Sequence, residues 1–302
     1  MKDIIYVEKH HFVTVRENSI KFRNVVDKTE KFFLFDEVEC IFFDNPKSYF
    51  SQKLVIKCVE RHIPLIFCDG KHAPLTELST NFRSVNRLNR LTLQLQLLMR
   101  TKDRLWKKIV THKIFNQAKC LENNMIYSNK VKELIAISKE VKQGDTTNRE
   151  ALAARIYFKS LYGDKFKRGR YTDVVNSALN YGYAIIRAFI KIELVYHGFE
   201  MSIGIKHRSK ENPFNLADDI IEVYRPFVDN LVYDLVYNNK IKELDKDSKK
   251  VLLNILYEKC IVDKKIIRLL DSIKMTITSL IKCYEDNSPA PITLPLMIGV
   301  ES

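Results

Sequence analysis

Glycine is scarce in this chain, at 8 of 302 residues. That argues against an all-β protein or an enzyme built on glycine-rich loops, and it favours long helices. The six cysteines, Cys40, Cys58, Cys68, Cys120, Cys260 and Cys283, include no CxxC pair, and four of them sit in apolar runs. They read as reduced core residues, which excludes a zinc knuckle or a disulfide framework. No uncharged apolar stretch approaches the ~20 residues needed to cross a bilayer. The opening segment, MKDIIYVEKHH, also lacks the apolar centre of a secretory signal. These absences predict a soluble, cytoplasmic protein.

Basic charge is in excess and unevenly placed. Lys and Arg number 50 against 37 Asp and Glu, a net charge of +13. Residues 1–81 hold 12 of each sign, whereas residues 82–130 hold 11 basic and 2 acidic residues. The stripe of Arg83, Arg87, Arg90, Arg100, Lys102, Arg104, Lys107, Lys108 and Lys113 has the charge to release counterions from a phosphate backbone. A solvated helix face, or an acidic protein partner, would use the same stripe differently.

The apolar pattern changes at the same place. Short runs rich in β-branched and aromatic residues fill the first 80 residues: IIYV (4–7), HFVTV (11–15), SIKF (19–22), KFFLF (31–35), CIFF (40–43) and IPLIF (63–67). One helical register interrupts them at 49–61. From about residue 85 the spacing becomes three-and-four, and 87–121 is helix-compatible without Gly or Pro. Helical spacing also marks 173–198, 248–260 and 263–285. The predicted fold is α+β: a small β-rich N-terminal domain (1–82) and a larger all-α domain (83–286). A Pro-rich C-terminal tail (287–302) follows, expected to be extended or disordered.

Three separated residues, Glu150, His207 and Glu222, offer two carboxylates and an imidazole, a donor set suited to Mg²⁺ or Mn²⁺. Each has a plainer reading. Thr147-Asn148-Arg149-Glu150 fits a capping box, with Thr147 as N-cap. Asn215 suits a second N-cap, which would place Asp218 in a capping position. Glu222, beside a core face, has Arg225 within one turn as an ion-pair partner. His207 stands between Lys206 and Arg208, which disfavour its protonated form. The loop GDKFKRGRYTD (163–173) offers Lys165, Lys167, Arg168 and Arg170 as phosphate contacts, or is simply a solvated loop. Tyr171, Tyr181 and Tyr183 read as packing residues.

Four phrases, in order and spacing, carry a family resemblance: NREALAARIYF, DVVNSALNYGYAII, GIKH and FNLADDIIEVYRPFVD. The chain resembles the CRISPR adaptation integrases, the family called CRISPR-associated protein one, and most closely its type II-A members. The resemblance implies that Glu150, His207 and Glu222 are catalytic metal ligands for Mg²⁺ or Mn²⁺. It also implies that Asp219 supports them without binding metal itself. The family's last ligand is often Asp, and Glu222 is a longer variant. The DNA contacts that go with this reading are Arg83, Arg87, Lys165, Lys167, Arg168, Arg170, Lys206 and Arg208. The implied activity is metal-dependent transesterification, joining prespacer 3′-hydroxyl ends to the repeat boundaries of a CRISPR array. Implied partners are double-stranded DNA, a second copy of this chain bound through the β-rich domain, and a small ferredoxin-like second adaptation protein in a hetero-hexamer. A ring-forming accessory protein and the RNA-guided effector nuclease complete the implied set. A standalone nuclease for branched DNA and a non-catalytic DNA-bridging scaffold remain as alternatives.

Overall fold

The computed structural model describes residues 2–70, 72–78, 86–126, 128–169 and 171–299. The chain divides into two compact units, 1–85 and 86–302. Arg83 and Arg170 lie outside the described residues.

The described residues of the first unit form two four-stranded sheets. Its strands are β1 (Asp3–Val7), β2 (His11–Arg16), β3 (Ser19–Asn24), β4 (Glu30–Leu34), β5 (Val38–Phe43), β6 (Tyr49–Phe50), β7 (Leu65–Cys68) and β8 (Pro74–Leu78). One sheet runs β1-β5-β7-β8, the other β4-β3-β2-β6. β5 lies between two parallel neighbours, and Cys40, Ile41 and Phe42 on it are wholly buried. That explains its unbroken apolar run, since a strand covered on both faces has no polar side. β2 and β3 alternate instead: Val13, Ile20 and Phe22 point inward, while Phe12 is exposed.

α1 (Gln52–Glu60) joins the two sheets in sequence. Ser51 caps it by accepting the Leu54 amide, and Leu54 and Cys58, one turn apart, are wholly buried. It ends on His62 in the left-handed region, with Ile63 N donating to Cys58 O at 2.9 Å and His62 N to Val59 O at 3.3 Å. This is a Schellman closure in which histidine takes the place that glycine usually fills. The scarcity of glycine is met in this way elsewhere: eleven described non-glycine residues have positive φ.

The second unit is mainly helical: α2 (Arg87–Gln96), α3 (Met99–Asn123), α4 (Ser128–Glu140), α5 (Arg149–Tyr162), α6 (Val174–Tyr196), α7 (Asn215–Ile221), α8 (Arg225–Tyr233), α9 (Lys246–Leu253) and α10 (Leu269–Glu285). α6 is buried on nearly every face and forms the centre. None of the described helices is long and apolar enough to cross a membrane.

Three features differ from the sequence expectation. The run 87–121 breaks at Leu97 and Leu98, which are extended. Tertiary contacts force the turn. Gln94, fully buried, accepts the Glu200 amide at 2.8 Å and donates to its carbonyl at 2.9 Å, while Arg90 pairs with Glu285. Next, the helical unit is not all helix, because 259–268 is a hairpin of β9 (Lys259–Val262) and β10 (Lys265–Arg268). Its two-residue turn places Asp263 and Lys264 at positive φ, as a primed turn requires. Finally, the described part of the Pro-rich tail, 287–299, is held in place. Its strand β11 (Leu296–Met297) pairs with β9. Asn116 on α3, fully buried, accepts the Met297 amide at 2.9 Å and donates to Pro295 O at 3.0 Å.

Candidate active site

Glu150 sits in the first turn of α5. Thr147 does not cap this helix. Asn148 is left-handed at the start, and the Asp145 carboxylate accepts the amides of Arg149 at 2.8 Å and Glu150 at 3.0 Å. With Asp145 in the capping role, the Glu150 side chain points elsewhere: Lys113 Nζ on α3 donates to its Oε1 at 2.6 Å.

The same ammonium donates to Glu222 Oε2 at 2.5 Å. Glu222 is not inside a helix, but on the short link between α7 and α8. Arg225 Nε stands 3.0 Å from its other oxygen, so the intrahelical-range ion pair weighed from sequence is present as well. Burial would raise the Glu222 carboxyl, but Lys113 and Arg225 outweigh it and hold the group at about 2. For Lys113, burial opposes the charge, yet Glu222 and Glu150 prevail and hold the ammonium above the usual lysine range.

His207 belongs to a loop folded around a single buried carboxylate. Asp219 on α7 is fully buried. Its Oδ2 accepts the amides of Ile205 at 2.5 Å and Lys206 at 3.0 Å, and its Oδ1 accepts the His207 amide at 3.0 Å and the His207 ring Nδ1 at 2.7 Å. An ionised carboxylate only accepts, so Nδ1 carries the proton and Nε2 is left as the donor atom for a ligand. Gly204 makes this wrap possible: a Cβ there would lie 2.4 Å from His207 O and 2.7 Å from Asp219 Oδ2. Trp106 on α3 meets the imidazole edge-on, with ring centroids 5.8 Å apart. The hydrogen bond to Asp219 raises the His207 pKa against the opposing effect of burial. Asp219 thus reverses the influence expected from the flanking Lys206 and Arg208.

Asp218 does not cap α7. It takes Arg187 through Nε at 2.6 Å and Nη2 at 3.0 Å, and Asn212 Nδ2 at 2.6 Å. Two pairs are therefore assembled, Glu150 with Glu222 on Lys113 and His207 with Asp219. Among the described residues, no group of three His, Cys, Asp or Glu side chains converges as a ready coordination sphere.

Behind Glu222 lies a buried polar cluster. Asp229 on α8 accepts the hydroxyls of Tyr157, at 2.9 Å, and Tyr183, and burial pushes its carboxyl up to about 6. Arg225 and Arg168 both stand over the Tyr183 ring, 4.7 and 5.1 Å from its centroid. Tyr183 is a packing residue, as its sequence context indicated.

The expected DNA contacts divide by what they already hold. Arg168 donates to Gly169 O at 2.7 Å, Asn176 Oδ1 at 3.0 Å and Asn180 Oδ1 at 2.7 Å, so it fixes the loop. Lys206 Nζ donates to Gly144 O at 2.8 Å, and Arg208 Nη2 stands 3.2 Å from Met99 Sδ. Arg87 is exposed. Lys165 and Lys167 are exposed and line an open cavity of about 780 Å³ with Tyr162, Phe166 and Tyr171. The basic stripe is not one solvent face. Arg90 and Lys113 are buried, and Lys108 donates to Pro289 O at 2.7 Å.

Lys113 is the site residue that the sequence reading counted only as part of the stripe. The signal was in its register: it lies one turn from Ile109 and Gln117, on the buried face of α3.

Comparison with known proteins supplies the context. The family profile described as CRISPR associated protein Cas1 matches residues 5–264. A CRISPR-associated endonuclease Cas1 of Neisseria meningitidis is 33% identical over 270 residues, covering 88% of this chain and 87% of that one. One from Francisella tularensis subsp. novicida is 27% identical over 286 residues, covering 84% and 85%. Among solved structures, a casposase bound to integration product matches with a TM-score of 0.77 at 16% identity, covering 95% of this chain and 92% of that one. A Cas1 protein from Thermotoga maritima matches with a TM-score of 0.71 at 16% identity, covering 94% and 97%. The structural matches speak to the fold. The profile match spans most of the chain and takes in Glu150, His207 and Glu222, so this chain belongs to the Cas1 family of CRISPR-associated proteins.

Proposed function

We propose that this protein is a metal-dependent DNA integrase of CRISPR adaptation, joining the 3′-hydroxyl of a short DNA duplex to a phosphodiester at a repeat boundary. The observation that carries the reading is local. Glu150 and Glu222 converge on one cation, and the adjoining loop holds His207 by its Nδ1, which leaves Nε2 as the ring atom suited to a metal. Hard carboxylate oxygens and one imidazole nitrogen fit Mg²⁺ or Mn²⁺. The Lys113 ammonium marks the spot where both carboxylates accept positive charge.

Glu150, Glu222 and His207 Nε2 would hold the ion. When bound, it supplies Lewis-acid stabilisation of the phosphoryl oxygen. Asp219 fixes the tautomer and direction of the His207 ring. Arg225 orients Glu222, and the Asp145 cap leaves the Glu150 carboxylate aimed at the site. Lys165, Lys167 and Arg87 grip the backbone electrostatically, without reading sequence. The partners that suit this reading are double-stranded DNA, a second copy of the chain through the β-rich unit, and the small ferredoxin-like second adaptation protein in a hetero-hexamer. The ring-forming accessory protein and the RNA-guided effector nuclease belong to the same scheme. Two matching structures, a Cas6-RT-Cas1–Cas2 complex and a partial form of it, support the second-protein assignment, and the casposase bound to integration product supports an integration reaction.

A scaffold reading draws on one observation: the charges of Glu150 and Glu222 are already balanced by Lys113 and Arg225 without metal. A joining assay separates the two. With the second adaptation protein, a 3′-hydroxyl duplex, a repeat target and Mn²⁺, the parent should yield joined product. Glu150→Gln and His207→Ala should bind DNA but yield none. Joining by both variants, or by the parent in EDTA, would reject the metal site.

A further inference from the structure

Lys113 is only 7% exposed, too deep to reach a DNA phosphate, and its ammonium lies 2.6 Å from Glu150 Oε1 and 2.5 Å from Glu222 Oε2. Arg225 adds a second cation at 3.0 Å from Glu222. Two negative charges therefore face two positive ones, with Lys113 and Glu222 buried and Glu150 and Arg225 partly exposed. A divalent ion added to that set would leave it with two uncompensated positive charges, which is costly away from water. The set returns toward balance if one resident cation leaves. Arg225 is the less able to go, because its guanidinium also stands over the Tyr183 ring. Lys113 carries its charge on a flexible four-carbon stem.

We propose that Lys113 is a resident cation of this site that a divalent metal must displace, and that it thereby sets the metal affinity of Glu150 and Glu222. The inference rests on the metal-site reading given above. It gives Lys113 two roles. Without metal, it holds the two carboxylates together across α3, α5 and the α7–α8 link. With metal, its departure is part of binding, so the site favours ions at concentrations high enough to compete.

The test is a Mn²⁺ titration of the full-length protein, followed by calorimetry or electron paramagnetic resonance, for the parent, Lys113→Met and Glu222→Gln. Lys113→Met should bind Mn²⁺ more tightly, by roughly tenfold or more, because a competing unit charge within about 4 Å has been removed. It should also melt lower than the parent in EDTA and gain more from added Mn²⁺. A merely structural lysine would give weaker binding on removal, not tighter. If Glu222→Gln weakens Mn²⁺ binding but Lys113→Met leaves it unchanged or weaker, the inference about Lys113 is overturned and the metal site stands. If Glu150→Gln, Glu222→Gln and His207→Ala all bind as the parent does, the site reading fails and takes this inference with it. Should Lys113→Met not fold, amine labelling of the parent read by mass spectrometry decides. Lys113 should be protected in EDTA and labelled faster in Mg²⁺, and equal labelling in both would overturn the proposal.

Discussion

Asp219 holds His207 twice through one oxygen: Oδ1 accepts the ring Nδ1 at 2.7 Å and the backbone amide at 3.0 Å. The carboxylate is fully buried, and its other oxygen takes two more amides of the same loop. Position and tautomer of the imidazole therefore depend on a fully buried neighbour. Asp219→Asn should lower metal affinity by roughly 10–100-fold. It should also destabilise the fold by about 1–3 kcal/mol, since buried donors lose a charged acceptor. Mn²⁺ titration and thermal melting of the same preparation check both effects. Parent-like values in both would contradict the arrangement.

Gly204 provides a steric counterpart. A methyl there would meet His207 O, a backbone atom, at 2.4 Å, so the loop itself must shift. Gly204→Ala should destabilise the protein by about 1–3 kcal/mol, the range for overpacking. It should also reduce DNA joining more than DNA binding. A variant that melts and joins like the parent would show that the loop has slack.

Asp229 gives a pH prediction with a definite sign. Its carboxyl is pushed up from 3.8 to about 6 by burial, so the folded protein keeps a proton that the unfolded chain has already shed. That favours the folded state at lower pH, and the advantage fades as pH rises through 6. Between pH 5 and 7 this group alone should cost about 1 kcal/mol of stability. Asp229→Asn should flatten that part of the profile, measured as denaturation midpoints across the window. An unchanged slope would mean that the Tyr157 and Tyr183 hydroxyls keep the group ionised.

The basic loop separates grip from scaffold. Lys165→Glu with Lys167→Glu should weaken duplex binding and make it less salt-dependent, with little change in melting. Arg168→Ala should do the reverse, lowering the melting temperature through the lost bonds to Gly169, Asn176 and Asn180. Binding titrations at several salt concentrations, beside melting curves, distinguish the two. Equal effects of the two sets would contradict the division.

How far the sequence shows these features varies with what fixes each one. The strands of the first unit were legible because alternation and β-branched runs report burial directly, as on β2 and β5. Ordered motifs single out Glu150, His207 and Glu222, and ligand chemistry alone leaves Glu150 between capping and coordination. What escaped is tertiary in origin. The hairpin turn at Asp263–Lys264 has no glycine to announce it, and the break at Leu97–Leu98 has neither glycine nor proline. Asp145 took the cap that Thr147 was expected to provide, because Asn148 turns left-handed and brings the Asp145 carboxylate over the first amides. Lys113 looked like one more charge in a basic stripe, and only the fold shows the two carboxylates on either side of it.

The central question is whether Glu150, Glu222 and His207 hold one metal. Anomalous diffraction from Mn²⁺-soaked crystals measures this directly. An anomalous peak is expected within coordination distance of a carboxylate oxygen from each glutamate and of His207 Nε2, with the Lys113 ammonium moved away. A peak elsewhere, or none at saturating Mn²⁺ with Lys113 still between the two carboxylates, would contradict it.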